Sequence, residues 1–319
     1  MSLQQLESYT YTEKKDTRSG FGAAMDHLGE TNEKVVAMCA DLTGSLKLNN
    51  FADTYPHRFF QAGIAEANMM GVAAGLTIGG HIPFATTFAN FATSRVFDQV
   101  RQSIAYSGKN VKIAASHSGI TLGEDGATHQ VLEDLAMMKA LPHMTVICCA
   151  DYNQTYDATL AVAEMEGPVY LRFGRPKIPV FMPAGKFEIG KAIHLAEGTD
   201  ITIIATGHCV WESIEAAKEL EQKGISVDLL NIHTIKPLDG EAILASAAKT
   251  KAVVTAEEHQ KLGGLGGSVA QVLAEHQPTK MGFVAVNDTF GESGKPEQLM
   301  QKYGIWRTDI VDAATALLK

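Results

Sequence analysis

The chain has 319 residues, 45% of them hydrophobic and 20% charged, with a net charge of −9 and a pI of about 5.7. That length holds two domains of ordinary size. The acidic balance argues against nucleic acid or an anionic membrane as the main partner, and no apolar run reaches the ~18 residues of a membrane span. The first twenty residues, MSLQQLESYTYTEKKDTRSG, are polar and contain no apolar signal-peptide core. Apolar runs at 34–42, 111–117, 144–150 and 169–173 predict strands. Helical patterns near 18–29, 66–79, 94–107, 131–140 and 152–165 lie between them. Strand, helix, strand in this order predicts an α/β fold with a parallel sheet covered by helices. The stretch 174–192 carries three prolines, breaks the alternation and reads as a linker. Alternation then restarts with strands at 200–207, 226–232, 251–258 and 282–286 and helices near 209–223, 239–248, 266–276 and 307–318. Two doubly wound α/β domains with mainly parallel sheets are expected, 1–185 and 190–319. The four cysteines, Cys39, Cys148, Cys149 and Cys209, form no CxxC pair and read as free buried thiols of a reducing cytoplasm.

Two glycine-rich segments invite a phosphate reading. GGLGG (263–267) opens a helix after a strand, but it lacks the Rossmann spacing and the P-loop Lys-Ser/Thr. A tight turn with close helix packing is the favoured reading. GLTIGG (75–80) ends a helix and reads as a C-cap. The polar stretch SHSGITLGEDGATHQVLEDLA (116–136) follows a strand and precedes a helix, where parallel sheets gather functional groups. It holds His117, Asp125 and His129. A hydroxyl- or phosphate-binding loop, a plain polar loop with Thr128 capping the next helix, and a metal site all remain open, although the histidine spacing matches no common zinc pattern. In FFQAGIAEANMMGVAAGLTIGG (59–80) the single acid is Glu66. A carboxylate in a buried apolar helix costs several kcal/mol or shifts its pKa. Either it sits on a wet helix end or its proton has a job.

Taken together, CADLTGS, GIAEANMMGVAAGL, PFATTFANF and SHSGITLGEDGATHQ resemble, in order and spacing, the pyrimidine-binding domain of transketolase. EEHQKLGGLGGSVAQVL is similar to that family's C-terminal domain. Transketolases are usually about twice this length. The family's diphosphate-binding domain is marked by Gly-Asp-Gly followed by Asn, and this sequence has no such motif. The chain therefore resembles the C-terminal subunit of a split transketolase.

The resemblance implies thiamine diphosphate as cofactor, with Mg²⁺ or Ca²⁺ bound mainly by an N-terminal partner subunit carrying the GDG motif. It also implies an α2β2 heterotetramer, cytoplasmic, without nucleic-acid or membrane partners. Glu66 matches the acid that hydrogen-bonds the pyrimidine ring nitrogen and favours the tautomer that removes the thiazolium proton. Phe88 and Phe91 match aromatics that pack on the pyrimidine. Asp125 matches an acid on a sugar hydroxyl, and His129 a histidine near the substrate's reacting carbons. Arg18, Ser45, His117 and Arg175 match the set that grips the acceptor's phosphate, with Arg172 facing the opposite way. The implied activity is transfer of a two-carbon ketol unit from a ketose phosphate to an aldose phosphate, only with the partner present. A sulfonated sugar meets the same charges. Departures at Gly119 and Thr121 leave acceptor choice open, while Ala127, where the family often has proline, should change little. A deoxyxylulose-phosphate synthase-like half, a 2-oxo acid dehydrogenase beta-type subunit and a non-catalytic scaffold are the rivals.

Overall fold

The structure, a computed structural model, describes residues 2–319. Its strands in chain order are β1 (Lys14–Asp16), β2 (Val35–Cys39), β3 (Phe59–Gln61), β4 (Ile82–Phe88), β5 (Lys112–Ser116), β6 (Thr145–Cys148), β7 (Val169–Arg172), β8 (Lys177–Pro179), β9 (Ile193–Ala196), β10 (Ile201–Ala205), β11 (Val227–Asn231), β12 (Thr234–Lys236), β13 (Val253–Gln260) and β14 (Met281–Val286). Seven form a sheet in the order β12-β6-β7-β5-β4-β2-β3, parallel throughout except for β12 against β6. Five form a second sheet, β14-β13-β10-β11-β9, antiparallel only at the β9 edge. The α/β class is as expected. Sequence explains the parallel cores: VVAMC, KIAAS, TVIC, VYLR and ITIIA are buried at every position. Unbroken runs of this kind suit strands covered on both faces.

Three features cross the boundary expected near 185–190. β12 leaves the second unit and joins the first sheet, with Thr234 opposite Ile147. Helix Ser2–Ser8 packs on the second unit instead of the first, and its Leu6 shares a core cluster with Leu195, Ile201 and Val210. Third, a second core cluster joins Met69, Met70, Val100 and Leu135 to Ile243, Val253, Leu265 and Val269. The segment read as a linker is partly ordered by pairing: β8 runs antiparallel to β1, Lys14 opposite Pro179. The helix expected at 94–107 starts only at Phe97 and continues from Phe97–Gln99 into a π-helical stretch, Val100–Tyr106, while a separate short helix, Ala89–Thr93, precedes it. No helix is long and apolar enough to cross a membrane among the described residues.

Candidate active site

The carboxyl ends of β2, β4, β5 and β7 open onto one edge of the first sheet, where such folds place ligands. Glu66 is 3% exposed and is the first residue of helix Glu66–Ile78. An acid there is favoured by the helix dipole. Its surroundings are not purely apolar, which corrects the reading from sequence. Arg95 Nη1 donates to both carboxylate oxygens, at 3.1 and 3.2 Å. The Arg95 guanidinium lies 4.2 Å over the Phe91 ring, so one cation serves acid and aromatic face together.

From Phe91 the rings continue. Phe91 and Phe88 lie nearly parallel, centroids 5.9 Å apart. Phe88 stacks on His117 at 3.7 Å, and His129 meets Phe91 edge-on at 5.3 Å. Phe88 ends β4 and His117 follows β5, so adjacent strand ends set the stack. His117 is 3% exposed, and its Nδ1 lies 2.7 Å from Ser116 Oγ. Burial first, then the charges of Arg18, Arg175 and His129, lower its pKa to about 2. The ring is therefore a neutral hydrogen-bonding group at physiological pH.

Arg18 sits in the first turn of helix Thr17–Thr31, N-capped by Asp16. Its Nη1 donates to the Ser45 carbonyl at 3.0 Å, and its Nε lies 3.2 Å from Asp16. Ser45 thus enters through its backbone. Arg175 Nη1 donates to the Leu122 carbonyl at 2.7 Å and to Glu124 at 2.8 Å. The Glu124 side chain is 58% exposed, so it is a carboxylate that another anion can displace at small cost.

Asp125 does not join this network; it is exposed in the turn beside Glu124. Thr128 caps no helix. Its hydroxyl lies 3.0 Å from His129 Nδ1, and the next helix begins at Asp134. Arg172 faces away from the site, as expected. It is 2% exposed and donates from Nε to Asp134 at 2.7 Å. The amides that open helix Leu265–His276 are already taken by Glu257, which accepts from Leu265 and Gly266 at 2.7 and 2.8 Å. GGLGG is therefore a turn and packing device. Gly263 has φ +84°, and a side chain on Gly266 would meet Phe283 at 2.7 Å. All four cysteines are free and buried.

Sequence reasoning missed Arg95, Glu124 and Ser116. Arg95 lies four residues after Phe91, the spacing that brings a cation over a ring on a helical turn, and this was a readable signal. A buried carboxylate beside aromatic rings is the kind of group set that an aminopyrimidine edge and face require. Among the described residues no three His, Cys, Asp or Glu side chains are grouped to hold a metal ion.

Comparison with known proteins gives this geometry a family. Residues 13–180 match the pattern described as "Transketolase, pyrimidine binding domain", and residues 190–310 that described as "Transketolase, C-terminal domain". The chain belongs to the transketolase family. Within it, the chain is 44% identical over 295 residues to a "Putative transketolase C-terminal section" of Methanocaldococcus jannaschii, covering 91% of this chain and 92% of that one. It is also 44% identical over 286 residues to "6-deoxy-6-sulfo-D-fructose transketolase subunit SqwH" of Clostridium sp. (strain MSTE9), covering 89% of each. A solved structure described as "Split gene transketolase, inactive beta4 tetramer" superposes with a TM-score of 0.89 at 49% identity, covering 95% of this chain and 98% of that one. The chain is thus of the split-transketolase type, and the pyrimidine domain places it among thiamine-diphosphate proteins.

Proposed function

We propose that this chain is the pyrimidine-binding subunit of a two-subunit transketolase of the cytoplasm. With a partner carrying the Gly-Asp-Gly site for diphosphate and Mg²⁺ or Ca²⁺, it moves a two-carbon ketol unit from a ketose to an aldose phosphate. The carrying observation is the ring stack from buried His117 through Phe88 and Phe91 to Arg95 and Glu66, with the charges of Arg18 and Arg175 near enough to act on His117. When bound, thiamine diphosphate supplies a carbon nucleophile that stabilises a carbanion. Phe88 and Phe91 offer faces to its pyrimidine. Glu66 holds a proton at the pyrimidine edge, which requires Arg95 to yield one carboxylate oxygen. Arg18 and Arg175 take the sugar's terminal anion through paired bonds, with His117 as a neutral partner. His129, on the edge of the Phe91 ring, orients hydroxyls near the reacting carbons, and Asp125 takes a sugar hydroxyl from the exposed turn.

Ile64, Ile78 and Tyr106 are 78%, 77% and 80% exposed around the Glu66 helix. Exposed apolar side chains at both ends of this helix and on the stretch packed against it suit a docking face. The partner covers this face and closes the site in an α2β2 assembly. The tetrameric relative described as inactive accords with a subunit that needs its partner. The anion set does not separate phosphate from sulfonate, and the relative named for a sulfonated fructose makes a sulfonated sugar the second reading.

The test is ketol transfer from xylulose 5-phosphate to ribose 5-phosphate with thiamine diphosphate and magnesium, run on the chain with and without its partner. Activity only in the mixture supports the proposal. Activity with a sulfonated ketose alone selects the second reading, and pyruvate decarboxylation by the mixture overturns both. In the same assay, Arg175→Ala should raise KM for phosphorylated acceptors by about 10- to 100-fold, the worth of one charged hydrogen-bonding contact. KM for unphosphorylated acceptors should stay nearly constant. Equal effects on both would make Arg175 structural.

A further inference from the structure

We infer that the second unit shapes the substrate loop, with Glu258 as the positioning residue that fixes the turn at 119–123 and thereby Arg175. The order of the five-stranded sheet reverses between β10 and β13: β11 lies on one side of β10 and β13 on the other. Open α/β sheets bind ligands in the crevice beyond the strand ends at such a point. Here His208, three residues past β10, and Glu258, near the end of β13, border that crevice. What fills it is the first unit's own loop.

The Thr121 amide donates to Glu258 Oε1 at 2.6 Å. The Thr121 hydroxyl lies 3.2 Å from His208 Nδ1, which is 3.6 Å from Glu258 Oε2. The Glu258 carbonyl accepts from Arg172 Nη2 at 2.9 Å. Gly119 presses against the same carboxylate: its φ is +73°, and a Cβ there would lie 2.2 Å from Glu258 Oε1. Only glycine meets both demands. A second grip holds the far side of the loop, where Gln130 Nε2 donates to the Glu292 and Ile120 carbonyls at 2.9 and 3.0 Å.

The link to the anion site is short. Thr121, whose amide Glu258 holds, precedes Leu122, whose carbonyl accepts from Arg175 at 2.7 Å. His117 stands two residues before Gly119. Glu258 is 2% exposed and lies behind the loop, so it acts on the site through the backbone. Burying a carboxylate is costly unless its oxygens are matched. Here the Thr121 amide bonds Oε1 and the Arg172 guanidinium supplies the opposing charge, and the amide bond pins the loop.

The reading rests on the proposed anion site, and its test is independent of ketol transfer. Hydrogen exchange and inorganic-phosphate affinity are measured on the full chain for the parent, Glu258→Ala and Glu258→Gln. In Glu258→Ala, amides of 119–123 should lose protection while those of β2, β4 and β5 keep theirs. Phosphate affinity should fall by at least about tenfold, an ordinary size of coupling between two linked sites. Glu258→Gln, which retains an oxygen acceptor, should restore both. Unchanged loop protection, phosphate affinity that survives the loss of protection, or loss of protection throughout the chain would each overturn the inference. Absence of ketol transfer in the parent with its partner would instead count against the transketolase reaction, leaving these two measurements to decide Glu258.

Discussion

Glu66→Gln, assayed with the partner subunit at saturating thiamine diphosphate, should lower ketol transfer by about 10²- to 10⁴-fold, the usual range for losing a positioned proton-transfer group. Folding should survive. Glutamine matches glutamate in size and keeps the first helical position. Arg95 Nη1 can still donate to the glutamine oxygen, and its side chain is 50% exposed, so water takes over the unpaired charge. The amide also removes a buried charge. The melting temperature should therefore move by only about 2 °C. Unchanged turnover would remove Glu66 from the chemistry. A collapse in melting temperature together with activity would make it a structural acid, held by Arg95 to fix the Phe91 ring.

What was legible in the sequence follows from the range of each interaction. Glu66 stood out because local composition alone made a carboxylate costly there. Arg95, its partner, lies 29 residues away; its spacing from Phe91 was a readable signal for the ring, but nothing local tied it to Glu66. The parallel strands were readable because burial on both faces leaves an unbroken apolar run. The three-residue strands β1, β3, β8 and β12 are too short to carry a period, and β12 is placed by pairing across units. Arg172 and Arg175 are three residues apart, yet one ends β7 inside the protein and the other lies beyond it. Counting from Gly167 and Pro168 gave them opposite directions, and the structure buries Arg172 while leaving Arg175 partly exposed. The Glu258–Thr121 contact spans 137 residues, and nothing local to EEHQ or GITLG announces it. The site reading therefore came mostly from motif resemblance, while the supports behind the motif came from packing.

Arg172 and Arg175 provide the sharpest contrast in stability. Arg172→Ala should destabilise the chain by about 3–5 kcal/mol, the usual cost of orphaning one member of a buried ion pair. Asp134 is fully buried, and its Oδ2 accepts from Arg172 Nε and from the Tyr170 hydroxyl, both at 2.7 Å. Burial pushes the Asp134 pKa up, and the Arg172 guanidinium overrides it, holding the carboxyl below its ordinary value. That pair contributes stability above the unfolded pKa of about 4, which is lost as pH falls through the lower native value. In Arg172→Ala the burial effect is unopposed by the guanidinium and the native pKa rises. The folded variant then binds a proton that the unfolded chain releases, so its deficit grows as pH rises above about 4. Urea midpoints near pH 7.5 and 4.5 should therefore differ more between parent and variant at the higher pH. Adding Asp134→Asn should recover part of the loss, because the orphaned charge is gone. A deficit under about 1 kcal/mol, equal at both pH values, would show that water reaches Asp134 when Arg172 is removed. Arg175→Ala, half-exposed and free of any buried acid, should leave the urea midpoint nearly unchanged while it alters KM. The two arginines thus separate by measurement into one that holds the units together and one that holds the anion.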